Sequence, residues 1–181
     1  LPPLALGLHY AQEVFEGLKA YKMLDGRISL FRTEQNAKRF NISLKRMAMP
    51  EVPEELFIEA IATLVDVDRG WVPPGPESAY YIRPFAFASE QWLGLKPSTE
   101  FMFVVSGGPF RAVYPKPLRV RVERQYSRAC KGGTGFAKCG GNYAAAMLPT
   151  IIANQAGFDQ VLWTDAERHE YIEESGTMNV M

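Results

Sequence analysis

The residues of this sequence that are best suited to chemistry surround one lysine in the glycine-rich stretch GGTGFAKCGGNYAAA, residues 132–146. Lys138 could be a solvated surface lysine beside a mobile loop, the usual setting of a lysine. It could bind phosphate, but the stretch lacks the GxxxxGK[ST] spacing of a nucleotide-binding loop. It could also be an amine in a partly desolvated pocket, where the neutral form is a nucleophile and glycines let the backbone approach a cofactor. Composition alone leaves the alternatives open.

Further candidate groups follow the lysine along the chain. Tyr143 lies at the start of a predicted helix, and the segment YIEESGTMN, residues 171–179, brings Glu174 and Thr177 to the end of a predicted strand. A lysine, a tyrosine, a carboxylate and an arginine form the set that an aldehyde cofactor with a pyridine nitrogen and a phosphate needs. Spacing alone does not prove that these side chains converge.

The elements that must position these groups can be predicted from periodicity and turn signals. Residues 18–32 alternate and turn at an Asp-Gly pair, which predicts a β-hairpin. Thr33 is predicted to N-cap a helix that runs to a stop at Pro50, and a second helix follows Pro53.

The rest of the chain is predicted to form three strands, one further hairpin and one helix. The helix runs from about Tyr143 to Ala156, with Asn142 as its cap and Gly157 as its stop. The strand-like segments are residues 79–88, 100–106 and 118–123 and a hairpin that begins at residue 160.

The order of elements is mixed α and β without regular βαβ alternation, which predicts an α+β fold. We expect a small N-terminal α+β domain over residues 1–111, a linker over residues 112–117, and a second domain that begins at residue 118. The best linker candidate is the proline-bearing segment PFRAVYPKP, residues 109–117.

Composition narrows the class of protein. Twenty basic residues balance twenty acidic ones, so no net charge recruits nucleic acid or an anionic membrane. No apolar run is long enough to span a bilayer, and the first residues lack the pattern of a signal peptide, which favours a cytoplasmic location. Two cysteines and two histidines, at spacings unlike those of metal ligands, predict no metal site. For Cys139, next to the lysine, inert packing is a better expectation than redox tuning.

Four separated motifs resemble one known family, and they cover almost the whole chain, from about His9 to Met178. GGTGFAKCGGNYAAA and EESGTMN resemble the class IV, D-amino-acid-aminotransferase-like enzymes that use pyridoxal 5'-phosphate. LHYAQEVFEGLKAYK and LFRTEQNAKRF are similar to segments of the branched-chain amino acid aminotransferases within that class. The resemblance implies the fold-type IV architecture and transamination of leucine, isoleucine and valine with 2-oxoglutarate.

The resemblance also implies roles for the cofactor-binding residues. Lys138 matches the lysine that forms the internal Schiff base and then shuttles a proton. Glu174 matches the glutamate at the pyridine nitrogen, and Tyr143 matches the tyrosine at the phenolic oxygen. Arg39 matches an arginine that grips the phosphate, and Thr177 is expected to contribute to cofactor binding.

The substrate pocket implied by the resemblance must accept both an aliphatic side chain and the γ-carboxylate of glutamate. Tyr81 and Arg83 lie two apart in YYIRPF, so a strand would place them on one face. Apolar and aromatic contacts are expected from Tyr10, Phe15, Leu93 and Leu95. In the family some of these residues reach into the partner subunit's site, which implies a homodimer.

The sequence also departs from the family pattern. SGGPF, residues 106–110, stands where the family has GAYF, and Pro109 replaces a tyrosine. Family members continue well beyond the glutamate motif, so we expect the larger domain of this chain to be incomplete. The alternatives are a D-amino acid aminotransferase, a pyruvate-forming lyase of the aminodeoxychorismate lyase type, or a truncated, non-catalytic paralogue.

Overall fold

A computed structural model describes residues 1–111, 116–176 and 178–181 of the chain. The residues form two compact units, each described separately below. The first unit comprises Leu1–Val113 and Ala137–Cys139, and the second comprises Tyr114–Phe136 and Gly140–Met181. Residues 112–115 of the predicted linker lie outside the described part of the chain.

The first unit is built on a five-stranded antiparallel sheet. The strands are β1 (Glu13–Phe15), β2 (Leu18–Lys22), β3 (Ile28–Leu30), β4 (Ser78–Ala88) and β5 (Phe101–Arg111). The central strand is the aromatic-rich β4, and one edge of β4 pairs with β5 along its whole length. The other edge pairs with β2 and then with β1, while β3 extends the sheet beyond β2.

Pro84 explains why β1 and β2 are separate strands. The carbonyl of Pro84 accepts a bond from the Glu16 amide at 2.7 Å, so this edge of β4 faces the β1–β2 junction. Proline has no N–H to donate on the same edge, which interrupts the ladder there. Glu16 and Gly17 therefore lie between the two ladders, which end at Phe15 and begin again at Leu18.

Two predicted helices pack on this sheet and are confirmed as α2 (Thr33–Arg46) and α3 (Glu54–Val67). Their buried faces include Phe40 and Phe57, whose ring centroids lie 5.2 Å apart and which both pack on Phe103 of β5. The predicted role of Thr33 is wrong. Thr33 is the first helical residue and is buried, while Arg32, with a φ of 52°, occupies the cap position without a side-chain cap bond.

The predicted hairpin of residues 18–32 is confirmed, but the N-terminal elements were not predicted. The hairpin turns through Gly26, which has a φ of +83°, the region that glycine adopts without a Cβ clash. A short helix α1 (Leu6–Tyr10) and β1 precede it. Both are too short to produce a recognisable period in the sequence. A 3₁₀ turn, Arg69–Trp71, follows α3.

The second unit contains a three-stranded mixed sheet. The strands β6 (Val120–Val122) and β7 (Gln160–Thr164) are parallel, and β7 pairs with β8 (Ile172–Ser175) as an antiparallel hairpin. The predicted strand at residues 118–123 and the final hairpin are therefore confirmed. The parallel pair was not predicted. Its crossover contains a short helix α4 (Gly140–Ala144) and a longer helix α5 (Met147–Gln155).

The single helix predicted over residues 143–156 is wrong, because the chain forms α4 and α5 instead. Pro149 has no N–H to bond the carbonyl of Ala145, and its ring would clash with that carbonyl in a continuous helix. Asn142 does not act as the predicted cap. Its side chain exchanges bonds with Thr134, at 2.7 and 2.9 Å, and so fastens the glycine-rich stretch. The predicted stop at Gly157, whose φ is +82°, is confirmed.

Candidate functional site

Lys138 is anchored to the first unit through its backbone. Its carbonyl accepts a bond from the Phe15 amide, and its amide donates to Ser43 Oγ, both at 2.9 Å. The flanking Ala137 and Cys139 are buried in the core of the unit, as inert packing of Cys139 requires. The lysine side chain thus projects from a fixed backbone position, which a reacting group needs.

The side chain of Lys138 meets an aromatic ring that also contacts a second cation. Its Nζ lies 4.7 Å from the centroid of the Phe15 ring, and the Cζ atom of Arg83 lies 4.6 Å from the same centroid. Arg83 also donates from Nη2 to the Tyr81 hydroxyl at 2.9 Å. The structure therefore brings together four of the predicted residues, Lys138, Phe15, Tyr81 and Arg83, in one cluster of the first unit.

The Nε atom of Arg83 is buried and has no hydrogen-bond partner among the described residues. A buried donor without a partner is rare, because losing water without a replacement costs roughly 1–3 kcal/mol. Guanidinium groups pair with carboxylates through two parallel bonds. An acceptor such as a substrate carboxylate fits the chemistry of this position.

A glycine permits the placement of Tyr81. A Cβ built on Gly17 would overlap the Tyr81 hydroxyl and touch its Cζ at 3.1 Å. The φ of Gly17 is not positive, so its backbone alone does not require glycine. The reason is space, because the hydroxyl that accepts the bond from Arg83 fills the position of the missing Cβ.

Arg39, the predicted phosphate-binding residue, forms an ion pair with a fully buried carboxylate. Its Nε and Nη2 donate to Glu16 Oε1 and Oε2 at 2.5 and 2.8 Å. Asn36 and the Gly17 amide also donate to Glu16 Oε2, at 2.9 and 3.1 Å. The side chain of Arg39 is 53% exposed, so it is held at one end and accessible at the other.

Glu16 and Ser43 are site residues that the sequence reading missed. Ser43 is fully buried, and its hydroxyl donates to the Arg39 carbonyl at 3.0 Å while it accepts from the Lys138 amide. One hydroxyl thus joins the helix that carries Arg39 to the backbone of the lysine. The only sequence signal for Glu16 was its place beside Phe15 in VFEG. Ser43 left no local signal.

The predicted apolar substrate contacts Tyr10, Leu93 and Leu95 lie on the surface of the described chain. Leu93 and Leu95 are 72% and 82% exposed, and Tyr10 is also exposed. The segment before β1 and the loop after β4 are tied to each other. Ala5 and Gln91 form an isolated β-bridge, and the Trp92 amide donates to the Leu4 carbonyl at 3.1 Å.

Glu90 fixes the loop that carries these leucines. Lys96 donates to Glu90 Oε1, and the amide and hydroxyl of Thr99 donate to Oε2 at 2.8 and 3.1 Å. Ser98 Oγ lies 3.4 Å from the same oxygen. The bond from Lys96, followed by that from the Thr99 amide, lowers the pKa of the Glu90 carboxyl to about 2.

The second unit carries the remaining predicted cofactor residues. Tyr143 is a half-buried residue of α4, and Glu174 lies on β8 opposite Trp163 of β7. The Oε2 atom of Glu174 lies 3.1 Å from Arg128 Nε. Thr177 lies outside the described residues.

Two absences concern the described part of the chain. Within residues 1–111, 116–176 and 178–181, no group of three His, Cys, Asp or Glu residues could hold a metal ion. No helix of the same ranges is long and apolar enough to cross a membrane.

Known proteins similar in sequence are named for one activity. The chain is 50% identical over 184 residues to the branched-chain-amino-acid aminotransferase of Mycobacterium tuberculosis. The aligned region covers 99% of this chain and 50% of that relative. It is 48% identical to branched-chain-amino-acid transaminase 1 of Bacillus subtilis, over 99% of this chain and 52% of that relative. The chain spans about half the length of these relatives. No family model matches it.

The solved structures that resemble this chain are also branched-chain amino acid aminotransferases. A T.th. branched-chain amino acid aminotransferase with pyridoxamine 5'-phosphate has a TM-score of 0.78 at 32% identity, over 96% of this chain and 56% of that one. The Escherichia coli branched-chain amino acid aminotransferase has a TM-score of 0.78 at 23% identity, over 97% and 56%, and shows the shared fold. The chain thus has a mixed α and β fold of the fold-type IV class. It belongs to the branched-chain-amino-acid aminotransferase family, as the four motifs predicted.

Proposed function

We propose that this protein catalyses the pyridoxal-phosphate-dependent transamination of leucine, isoleucine and valine with 2-oxoglutarate. The observation that carries the proposal is the cluster around Phe15, where Lys138 Nζ and the Arg83 guanidinium lie against the same ring. This cluster puts a candidate nucleophile next to a candidate carboxylate-binding group. The family of relatives named for this reaction supports the same activity.

The donor set of the chain fits pyridoxal 5'-phosphate chemically. Lys138 would condense with the aldehyde, and Arg39 would bind the phosphate through the part of its guanidinium that Glu16 does not engage. Glu174 and Tyr143 would hold the ring at its nitrogen and phenolic oxygen. When bound, the cofactor supplies the electron sink that stabilises negative charge at the substrate Cα.

The residues of the chain would do the remaining work. Lys138 would move the proton away from and back to the substrate Cα, which requires the fixed backbone that Ser43 and Phe15 provide. Arg83, with its buried Nε, would bind a substrate carboxylate, and the Tyr81 hydroxyl would keep the guanidinium in place. The Phe15 ring would offer apolar surface to an aliphatic side chain.

We also propose a homodimer, active in the cytoplasm. The support for the dimer is the exposed apolar surface of the two linked segments of the first unit, which contain Leu8, Trp92, Leu93 and Leu95. Several large apolar side chains exposed on two linked segments are typical of a protein interface. Sedimentation of the full-length Leu93→Lys variant should show dissociation, whereas the control variant Leu24→Lys, at an exposed position of the hairpin, should remain a dimer.

The activity is tested by covalent trapping in the full-length protein. Borohydride treatment in the presence of pyridoxal 5'-phosphate, followed by peptide mass spectrometry, should label Lys138. Lys138→Ala should remove the label and lower transamination of L-leucine at least about 10²-fold. Lys131→Ala, a change of an exposed lysine in the same segment, is the matched control. Labelling of another lysine, or faster turnover of D-alanine than of L-leucine, would refute the proposal.

A further inference from the structure

The second unit contains an ion pair that the roles above do not use. Arg128 Nε lies 3.1 Å from Glu174 Oε2, and the arginine side chain is only 15% exposed, while that of Glu174 is 41% exposed. Arg128 follows β6 in the chain, and Glu174 lies on β8, so the pair connects two separate segments of the unit. We propose that Arg128 is a positioning residue that orients Glu174 toward the bound cofactor. The proposal rests on the role of Glu174 in the proposed function.

Arg128 makes a second bond that fixes its direction. Its Nη1 donates to the carbonyl of Gly135 at 3.3 Å, within the glycine-rich stretch. The packing around this bond is tight, because a Cβ on Gly135 would collide with Ala129 and lie 3.9 Å from Arg128 Nη1. Gly135 therefore lets the stretch approach the arginine closely, and the guanidinium is held between a carbonyl and a carboxylate.

The chemistry of the pair suits positioning. The ion pair uses Oε2 of Glu174, while Oε1 makes no hydrogen bond to any described residue, and the side chain remains partly exposed. A carboxylate with one oxygen held by a fixed cation loses rotational freedom and presents the other oxygen in one direction. A planar guanidinium has donors for both neighbours at once, whereas the single ammonium group of lysine has a different reach and geometry.

Cofactor affinity tests this role without measuring turnover. In the full-length protein, Arg128→Met should raise the dissociation constant of pyridoxal 5'-phosphate about tenfold, and Arg128→Lys should restore only part of the loss. Arg124→Met, which changes an exposed arginine of the same segment, should bind the cofactor as the wild type does.

A double-mutant cycle separates positioning from general destabilisation. In the Glu174→Gln background, Arg128→Met should weaken cofactor binding less than about threefold, because its effect passes through the carboxylate. An equal tenfold loss in both backgrounds would overturn the positioning role, and so would wild-type affinity of Arg128→Met. If the wild-type protein itself fails to bind the cofactor, the proposed function fails instead. If Arg128→Met does not fold, the cycle is run with Arg128→Lys, and a loss of affinity of equal size in both backgrounds then overturns the positioning role.

Discussion

The buried carboxylate of Glu16 holds Arg39 through two hydrogen bonds, from Nε at 2.5 Å and Nη2 at 2.8 Å. Glu16 lies at the break in the sheet edge opposite Pro84, and Arg39 lies on α2. The irregular strand junction thus places a charge that orients a helix side chain. A partly exposed arginine would otherwise sample many rotamers, and ordering them costs free energy when a ligand binds.

Replacing Glu16 with glutamine should weaken cofactor binding by the full-length protein about tenfold. The amide keeps the volume but removes the negative charge and points an NH₂ group toward the donors of Arg39 or Asn36. The lost pairing is worth about 1–2 kcal/mol, since the arginine is partly in water. Fluorescence titration with pyridoxal 5'-phosphate measures the change. Glu13→Gln, on the neighbouring strand β1, is the control, and equal affinities of the two variants would contradict this role of Glu16.

Gly17→Ala should impair substrate binding while it leaves cofactor binding unchanged. The new methyl group would displace the Tyr81 hydroxyl, which accepts the bond from Arg83. Loss of one such bond is worth about 1 kcal/mol, so we expect a severalfold rise in the KM for 2-oxoglutarate. The matched control is Gly108→Ala, because Gly108 pairs with Tyr81 on the neighbouring strand and has open space around it. If both variants raise the KM equally, Gly17 has no such role.

Much of the fold could be predicted because its signals are local. Apolar positions three and four apart located α2 and α3, and an Asp-Gly pair between alternating segments located the hairpin of β2 and β3. The helix after the lysine was predicted incorrectly, although the reason is also local. Pro149 cannot bond the carbonyl of Ala145, so the chain forms α4 and α5, whereas the apolar run around Pro149 suggested one helix.

The site was only partly predictable, because some of its contacts are tertiary. The motif that contains Lys138 stood out through its glycines, and Tyr81 and Arg83 through their spacing on a strand. Ser43, in contrast, could not be predicted from the sequence. A serine within an amphipathic helix has no distinctive pattern, and its function depends on an amide 95 residues away in the sequence. Leu93 and Leu95 are exposed in the described chain, so their role as substrate contacts stays a prediction.

Tyr80 should make the stability of the protein sensitive to alkaline pH. Burial, supported by the hydrogen bond to Asp68, raises the pKa of Tyr80 from 10.0 to about 12. A raised pKa in the folded state stabilises it below about pH 10, and this contribution is lost as the pH rises toward 12. The contribution is on the order of 2 kcal/mol. Denaturant unfolding between about pH 9 and pH 12, the range set by that shift, should therefore show a smaller decline for Tyr80→Phe than for the wild type.

The control for this alkaline effect is Tyr21→Phe, since Tyr21 is exposed on β2. It should reproduce the wild-type decline. Identical pH profiles for the wild type and Tyr80→Phe would show that Tyr80 does not contribute.

Glu90 should control the order of the loop between β4 and β5 in the opposite pH range. Its pKa is lowered from the ordinary value of 4.5 to about 2, with the bond from Lys96 as the largest cause. A lowered pKa in the folded state stabilises it above pH 4.5, and this contribution is lost as the pH falls toward 2. Glu90→Gln removes the charge at neutral pH, so the amide of Thr99 should exchange its hydrogen about tenfold faster at about pH 7. Glu100→Gln, at an adjacent exposed position, should leave that exchange rate unchanged. A Thr99 amide that stays equally protected in Glu90→Gln would mean that the loop carrying Leu93 and Leu95 is held by other contacts.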